Sequence, residues 1–335
     1  MILASHPEYI RNNDVHHSYR QDTNLFYLTG WEEPDSIFVF RPGRTPETVM
    51  FVRPKDVERE TWDGFRYGPA GCAQEFKIDK TYLIEEFEKE IVELLKPVDR
   101  LYYRFNVDLD FDRKFLGILE SVKRSHGRSG RGHLPVLDSW ELIGELRVIK
   151  TADDVEAMRK ACSITARAHV DVMKGTKPGK TERQLLGVFL GSIYNQNADR
   201  EGYGSIVASG ANACTLHYVF NDQVCRDGDL LLIDAGAEAR YYTGDITRTY
   251  PVNGKFTAAQ RKVYDRVLEV QKDLVAMSKP GLAFKALQET TIERLTDVMI
   301  DLGLIKVKRQ EAIERLLFKK YYPHGVSHYL GMDVH

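Results

Sequence analysis

A helix, a Lys-Pro-Gly triplet and a second helix occur in this order twice along the chain. The first copy covers residues 173–186, and the second covers residues 277–287. The two prolines, Pro178 and Pro280, are 102 residues apart. Proline cannot continue a helix and glycine readily ends one, so each triplet separates two helices. The repeat therefore predicts a duplicated domain in which two helix pairs cover a common sheet.

The sequence between the two copies contains three strand-like segments. They are rich in β-branched and apolar residues and cover residues 203–210, 216–220 and 229–234. Residue pairs typical of helix starts are Thr151 with Asp154, Thr181 with Gln184, and Thr257 with Gln260. Together these patterns predict a C-terminal domain of class α/β (α+β) over residues 141–335.

Residues 1–140 alternate between strand and helix patterns, and we expect them to form a separate α/β domain. Short hydrophobic runs at residues 36–40 and 48–52 are joined by a Pro- and Gly-containing connector, which predicts a hairpin. Residues 81–96 carry apolar side chains at helical spacing and end before a proline, which predicts a helix.

The composition is that of a globular protein without a strong charge bias. The chain has 335 residues, of which 43% are hydrophobic and 29% charged, and its net charge is −2 at pH 7. No run of about 18 apolar residues is present, and the first residues do not resemble a signal peptide. We therefore expect no membrane span and no nucleic-acid partner. Four cysteines without Cys-x-x-Cys spacing favour reduced thiols in a cytoplasm.

Two aspartates lie where they could share one site. Asp234 ends an apolar segment, and Asp245 begins a returning segment 11 residues later. Strands joined by a turn at Gly236 could direct both carboxylates to one place, although spacing alone does not fix the register. Each aspartate also has a local interpretation. Asp234 could form a turn, and Asp245 could make a local hydrogen bond with Thr247.

Three histidines lie within twelve residues, in the segment HGVSHYLGMDVH. They are His324, His328 and His335, and the neighbouring proline and glycines favour loop and strand over helix. Oxygen ligands with one imidazole suit a hard divalent ion such as Mn²⁺, for which Co²⁺ or Zn²⁺ could substitute. Two such ions could hold a bridging water that attacks a carbonyl group. The pattern therefore predicts a metal-dependent hydrolase.

Two further histidines have competing interpretations. His217 lies on the predicted strand 216–220. It is either a half-buried strand residue or a hydrogen-bonding partner of a substrate or tetrahedral intermediate. His169 lies on the apolar face of the long helix that follows Thr151, so we expect it to be a buried structural residue rather than a ligand.

These motifs together resemble the pita-bread metallopeptidases, and most closely the aminopeptidase P (Xaa-Pro aminopeptidase) family. The matching strings are YRQDTNLFYLTGWEEPDS, GYGSIVASGANACTLHY, RDGDLLLIDAGAE, YTGDITRTYPVNGKFT and HGVSHYLGMDVH. The resemblance implies a creatinase-like N-terminal domain, which methionine aminopeptidases normally lack. It also implies a pita-bread domain, with pseudo-twofold duplicated helix pairs on a curved antiparallel sheet of six strands.

The resemblance also implies the metal ligands and the reaction. Asp234 would be a bidentate ligand of one divalent metal ion, Asp245 would bridge two such ions, and His328 would bind the other. The implied reaction hydrolyses the bond between an N-terminal residue and a following proline by means of a metal-bridging hydroxide. Peptides with proline in second position are therefore the expected substrates.

Further residues receive catalytic or substrate-binding roles from the same resemblance. His217 and His335 would contact the substrate and the reaction intermediate, and His324 would lie beside them in the catalytic site. Trp62 resembles a tryptophan that lines the substrate pocket of an adjacent subunit in tetrameric members. We therefore expect a homo-oligomer, either a dimer or a tetramer.

The family completes its metal site with two glutamates on later strands, which this sequence does not supply. The repeat places the counterparts of Asp234 and Asp245 near positions 336 and 347. The acidic residues that follow Asp245, apart from Asp333, lie in segments with helical patterns. We therefore expect a C-terminally truncated enzyme that binds metal weakly and turns over poorly on its own.

Three alternative functions remain open. A prolidase has the same site and cleaves Xaa-Pro dipeptides, so comparing a dipeptide with a longer peptide separates the two activities. Creatinase shares the fold but uses no metal, and the presence of Asp234, Asp245 and His328 argues against it. A non-catalytic binding module of the same fold would be expected to have lost those ligands.

Overall fold

The computed structural model describes residues 1–335, which divide into two compact units, Met1–Ile149 and Lys150–His335. The division follows the end of a helix, whereas the boundary predicted at residue 140 falls inside that helix. No helix in either unit combines the length and the apolar character needed to cross a membrane.

The first unit is built on a four-stranded sheet. Its strands and short ribbons are β1 (Ile2–Ala4), β2 (Ile10–Asn12), β3 (Val15–His16), β4 (Ile37–Phe40), β5 (Thr48–Val52), β6 (Lys80–Leu83), β7 (Leu101–Tyr102) and β8 (Val136–Leu137). The sheet has the order β1-β4-β5-β6, in which β5 and β6 run parallel and the other pairs antiparallel. Because Phe38 pairs with Met50, the predicted hairpin is confirmed.

Both faces of this sheet are buried under helices. The helices are α1 (Thr23–Thr29), α2 (Val57–Asp63), α3 (Gly68–Phe76), α4 (Phe87–Leu95), α5 (Leu109–Ser125) and α6 (Ser139–Val148). Val39 and Phe51 belong to one buried cluster with Phe115 of α5. Met50, which neighbours Phe51 and therefore points to the opposite face, belongs to a second cluster with Trp31. Two-sided burial explains why these strands are almost continuously hydrophobic.

The helix predicted over residues 81–96 is wrong in its first part. Residues 81–83 belong to β6, and the α-helix begins only at Phe87. Tyr82 stacks on Phe51 of the neighbouring strand, with ring centroids 5.2 Å apart. Pairing with the sheet therefore outweighs the helical spacing of the first apolar residues.

The second unit contains two long helix pairs, each separated by a Lys-Pro-Gly triplet as the repeat predicts. The helices are α7 (Ala152–Gly175), α8 (Glu182–Asn195), α9 (Ala258–Met277), α10 (Phe284–Asp301) and the short α11 (Arg309–Glu314). Gly179 and Gly281 have φ angles of +90° and +89°, so the two copies turn in the same way. The predicted capping boxes at Thr151, Thr181 and Thr257 are all present.

Two three-stranded sheets lie in this unit. Their strands are β9 (Arg200–Glu201), β10 (Ile206–Ser209), β11 (Leu230–Ala235), β12 (Ala237–Ala239), β13 (Tyr242–Thr243) and β14 (Ile246–Pro251). The orders are β10-β11-β14 and β13-β12-β9, and every pair is antiparallel. Ile164 of α7 and Phe189 of α8 are buried in one cluster with Leu231 and Ile233 of β11. The first helix pair therefore packs on the sheet that carries Asp234.

The strand predicted over residues 216–220 is wrong. After β10 the chain forms a 3₁₀ turn over Gly210–Cys214, and residues 216–220 then form no strand. The Asn221 side chain forms hydrogen bonds with backbone groups of Ser205 and Val207 that a neighbouring strand could otherwise bind. It accepts a hydrogen bond from the N–H of Val207 (2.8 Å) and donates one to the carbonyl oxygen of Ser205 (2.9 Å). Its φ of +48° is incompatible with a continuing strand.

Candidate metal centre

Asp234 and Asp245 are brought together by two paired strands. Asp234 lies in β11, and Asp245 immediately precedes β14. The register pairs Asp234 with Thr247 and Ala235 with Ile246. Both carboxylates are partly buried. The two strands therefore hold the two side chains at the same end of the sheet.

The chain between the two aspartates turns at Arg240 and Tyr241, and not at Gly236 as the sequence suggests. Both turn residues have positive φ, +53° and +67°, as in the tight turns that match strand twist. Gly236 serves a different purpose, because its backbone lies directly against Gly244. A side chain at position 236 would push the two aspartate-bearing segments apart.

Tyr203 connects the two carboxylates. Its hydroxyl lies 2.6 Å from Oδ1 of Asp234 and 3.1 Å from Oδ1 of Asp245. Burial, together with the hydrogen bond to Asp234, raises the pKa of Tyr203. The hydroxyl therefore stays protonated, and its single proton is shared between the two carboxylates, with the shorter contact to Asp234. Sequence reasoning did not single out Tyr203, although its position between Gly202 and Gly204, just before β10, could have drawn attention to it.

His328 approaches the same group from the far end of the chain. Its Nε2 lies 3.2 Å from Oδ2 of Asp245. Its Nδ1 lies 2.8 Å from the carbonyl oxygen of Tyr329 and must carry the proton of that hydrogen bond, because a carbonyl only accepts. In the neutral ring, Nε2 therefore presents a lone pair to a carboxylate oxygen. Two facing acceptors need a cation or a proton between them.

The segment HGVSHYLGMDVH forms neither helix nor strand, so the predicted loop is confirmed and the predicted strand character is wrong. It is held beside the aspartate hairpin by a hydrogen bond from the N–H of Thr243 to the carbonyl oxygen of Gly331 (3.0 Å). The His335 ring lies 4.5 Å from the His328 ring, centroid to centroid. His324 instead packs against Tyr322, 5.2 Å between ring centroids. Only two of the three histidines therefore lie together.

His217 and Trp62 are exposed and are not part of this cluster of contacts. His217 lies in a turn after the 3₁₀ segment, which corrects the prediction that it sits on a strand. It makes no hydrogen bond or ion pair with Asp234 or Asp245. Trp62 lies on α2 of the first unit with 84% of its surface exposed.

Helix α7 supports the hairpin from the core. The hydroxyl of Thr165 accepts a hydrogen bond from the N–H of Ala237 (2.9 Å) and donates to the carbonyl oxygen of Ala161 (2.8 Å). One helical turn later, Nε2 of His169 lies 3.1 Å from the carbonyl oxygen of Ala235. Burial lowers the pKa of His169, and the prediction that it is a buried structural residue is confirmed.

The side chains at this site offer oxygen and nitrogen donors to a metal ion. No group of three or more His, Cys, Asp or Glu side chains in residues 1–335 already surrounds a common point. The side chains meet in pairs instead, through Tyr203 and through the contact of His328 with Asp245. Two carboxylates and an imidazole lone pair nevertheless form a set of oxygen and nitrogen ligands that suits a divalent cation.

The acidic residues that follow Asp245 do not add strand-borne ligands. As predicted, those before Asp333 lie on α9, α10 and α11. They are Asp265, Glu269, Asp273, Glu289, Glu293, Asp297, Asp301, Glu311 and Glu314. Asp234, Asp245 and His328 therefore stay the predicted metal ligands.

Comparison with protein families shows the class to which the chain belongs. The profile of metallopeptidase family M24 matches residues 156–335, and the profile of the aminopeptidase P N-terminal domain matches residues 1–102. The chain belongs to metallopeptidase family M24. The M24 match falls within the second unit, which contains Tyr203, both aspartates and His328, and the N-terminal-domain match falls within the first.

Individual relatives are similar along the whole chain. The Xaa-Pro aminopeptidase of Haemophilus influenzae is 36% identical, over 100% of this chain and 76% of its own length. Human Xaa-Pro aminopeptidase 3 is 34% identical, over 100% of this chain and 66% of its own length.

Solved structures show the same fold. Aminopeptidase PepP of Pseudomonas aeruginosa superimposes with a TM-score of 0.95 at 39% identity, and zinc-substituted Escherichia coli aminopeptidase P in complex with product superimposes with 0.94 at 33%. In each case 100% of this chain and 76% of the other are covered. The predicted family, the α/β fold class and the metallopeptidase class are therefore confirmed, whereas the roles of single residues stay predictions.

Proposed function

We propose that the chain is a metal-dependent aminopeptidase that removes the N-terminal residue from peptides with proline in second position. One observation carries the proposal. Asp234 and Asp245 converge on the hydroxyl of Tyr203, while the Nε2 of His328 faces Asp245 at 3.2 Å. The relatives named Xaa-Pro aminopeptidase, which align over the whole chain, support the substrate class.

Asp234, Asp245 and His328 would hold the metal, and Mn²⁺ is the ion we propose from the mixture of oxygen and imidazole ligands. A bound divalent ion supplies two things to peptide hydrolysis, a water ligand of lowered pKa and stabilisation of negative charge on the carbonyl oxygen. The protein's own contribution is orientation. Tyr203 lies against Oδ1 of both carboxylates, while Oδ2 of Asp245 faces Nε2 of His328.

The remaining site residues are assigned to the peptide. His335, which packs against His328, would contact the reacting carbonyl group from the side of the metal. His217 and His324 are exposed and would approach the peptide from the rim of the site. The leaving group is the secondary amine of proline and must gain a proton, which a histidine can deliver.

Trp62 is proposed to complete the pocket of a second subunit. It is a large apolar side chain with 84% of its surface exposed, and Phe65, two residues beyond the end of α2, is exposed as well. Exposed aromatic side chains of this kind are typical of protein interfaces. A homo-oligomer, dimeric or tetrameric, is therefore part of the proposal, as is a cytoplasmic location, which the four unpaired cysteines favour.

Hydrolysis of matched tripeptides tests the proposed function. The chain, loaded with Mn²⁺, is expected to release the first residue from a tripeptide with proline in second position and not from the same tripeptide with alanine there. An Xaa-Pro dipeptide is included to detect prolidase activity. Cleavage of the dipeptide alone, or of neither proline peptide at any metal concentration, contradicts the proposal.

The D245N variant serves as the site control. The substitution keeps the size of the side chain but replaces the charged carboxylate with a neutral amide. The variant should therefore lose both metal binding and hydrolysis. With three protein ligands, the chain itself is expected to bind Mn²⁺ weakly. Isothermal titration of Mn²⁺ into both proteins separates a failure to bind metal from a failure of catalysis.

A further inference from the structure

Glu182 is a fully buried carboxylate that plays no part in the metal centre. It is the first residue of α8, directly after the Thr181 cap, and none of its surface is exposed. No Lys, Arg or His side chain forms an ion pair with it. A buried charge without a cation persists only where hydrogen-bond donors occupy its oxygens. The partners of Glu182 therefore indicate what this carboxylate does.

All four partners of Glu182 come from one segment, residues 209–223, and all are donors. Oε1 accepts from the N–H of Ser209 (2.7 Å) and from Nδ2 of Asn212 (3.0 Å). Oε2 accepts from the hydroxyl of Tyr218 (2.8 Å) and from the N–H of Gln223 (3.0 Å). One side chain thus fixes the start, the middle and the end of the segment.

Tyr218 is the central attachment point. Its ring packs in a small cluster with Ile206 and Ala208 of β10. Burial, together with the hydrogen bond to Glu182, raises the pKa of Tyr218 to about 12, so its hydroxyl is a donor at neutral pH. Its neighbour His217 is exposed.

The fixed segment lies on the sheet that carries the metal centre. Ile206, which packs against Tyr218, pairs with Asp234 in the register of β10 and β11. The position of His217 relative to the carboxylates is therefore set through Tyr218 and β10. We propose that Glu182 is a positioning residue that holds the segment 209–223 so that His217 meets the peptide; this inference rests on the proposed function.

A double-mutant cycle between Glu182 and His217 tests the inference. E182Q keeps the shape of the side chain but turns an NH₂ group toward two of the four donors. It should lower kcat/KM for the proline tripeptide by about tenfold, mainly through KM, whereas the affinity for Mn²⁺ should stay within about twofold. In an H217A background, the same change should cost no more than about twofold further, since the residue through which it acts is gone.

Local hydrogen exchange provides a second readout that does not depend on activity. Amide exchange in residues 209–223 should accelerate about tenfold in E182Q and stay unchanged in α9 and α10. E156Q, a Glu-to-Gln change at an exposed position of α7, is the matched control and should alter neither exchange nor kinetics. If E182Q folds poorly, Y218F removes only one of the four hydrogen bonds and should show the same changes at smaller size.

The possible results separate the two proposals. If the unmodified chain cleaves no proline peptide, the proposed function fails, and the exchange experiment still tests the anchoring. If the chain is active but E182Q and Y218F leave exchange and KM unchanged, the inference is overturned. The inference is also overturned if E182Q lowers kcat/KM by the same factor in the unmodified chain and in H217A. That result would indicate a general structural role for Glu182.

Discussion

A Cβ atom added to Gly236 would lie 1.7 Å from the carbonyl oxygen of Gly244. The two glycines allow the segments that carry Asp234 and Asp245 to touch, and this contact sets the separation of the two carboxylates. The obstacle is backbone, which cannot rotate away as a long side chain could. A substitution at position 236 must therefore displace one of the two segments.

The G236A variant is accordingly expected to lose about 1–3 kcal/mol of unfolding free energy and most of its Mn²⁺ affinity. Gly187 provides the control, because it lies on the exposed face of α8 with no atom within 4 Å of a built Cβ. G187A should be neutral or stabilising by about 0.5–1 kcal/mol. Urea unfolding and metal titration of both variants check this, and a G236A protein with normal metal affinity contradicts it.

Removal of the Tyr203 hydroxyl tests the bridge between the carboxylates. Y203F leaves the ring but frees Oδ1 of both aspartates, so they lose a fixed orientation. We expect the affinity for Mn²⁺ to fall by about tenfold or more, the usual effect of losing a group that orients metal ligands. Y194F, at an exposed tyrosine of α8, should have no effect. Unchanged or tighter binding by Y203F in calorimetry would show that the hydroxyl does not orient the ligands.

Thr165 offers a test of the support that α7 gives to the hairpin. In T165V the N–H of Ala237 loses its acceptor in a fully buried place. An unsatisfied buried donor costs about 1–3 kcal/mol, so the midpoint of urea unfolding should fall by a corresponding amount. T165S keeps the hydroxyl and should lose much less. Equal destabilisation of the two variants would argue that the methyl group, and not the hydrogen bond, matters.

Asp79 should make the stability of the first unit depend on pH. Hydrogen bonds from the N–H groups of Thr48 and Glu47 hold its pKa below the ordinary value of 3.8. The unfolded chain therefore binds the proton more readily. The stabilisation is complete above about pH 4 and disappears as the pH falls through the lowered pKa.

D79N should consequently be less stable than the unmodified chain at pH 6, with a difference that shrinks toward pH 3. D14N, at an exposed turn without hydrogen bonds to that side chain, is the control and should show little difference at either pH. Urea unfolding at both pH values measures the effect. A D79N deficit that is constant with pH contradicts the predicted linkage.

Local rules predicted those parts of the fold that depend on neighbouring residues. The capping boxes at Thr151, Thr181 and Thr257 need only side chains three residues apart, and the Lys-Pro-Gly triplets end helices wherever they occur. The buried state of His169 followed from helical periodicity in the same way. Such features can be derived from a sequence because no distant partner decides them.

Features that depend on distant partners could not be predicted. Residues 81–83 form a strand because β5 is there to pair with them. Residues 216–220 form no strand, since the Asn221 side chain already bonds backbone groups of Ser205 and Val207 at β10. Tyr203 is a site residue only because β10, β11 and β14 bring it to both aspartates. The sequence suggests a turn at Gly236. The glycine is instead required by the close backbone contact with Gly244, which leaves no room for a side chain.

Asp234, Asp245 and His328 are proposed to form one metal centre. Anomalous diffraction from crystals grown with Mn²⁺ tests it directly. We expect anomalous peaks at this site, so that a carboxylate oxygen of each aspartate and Nε2 of His328 each lie about 2.0–2.3 Å from a peak, with Asp245 near both when two ions are bound. A peak elsewhere in the protein, with none between these three side chains, contradicts the proposed centre.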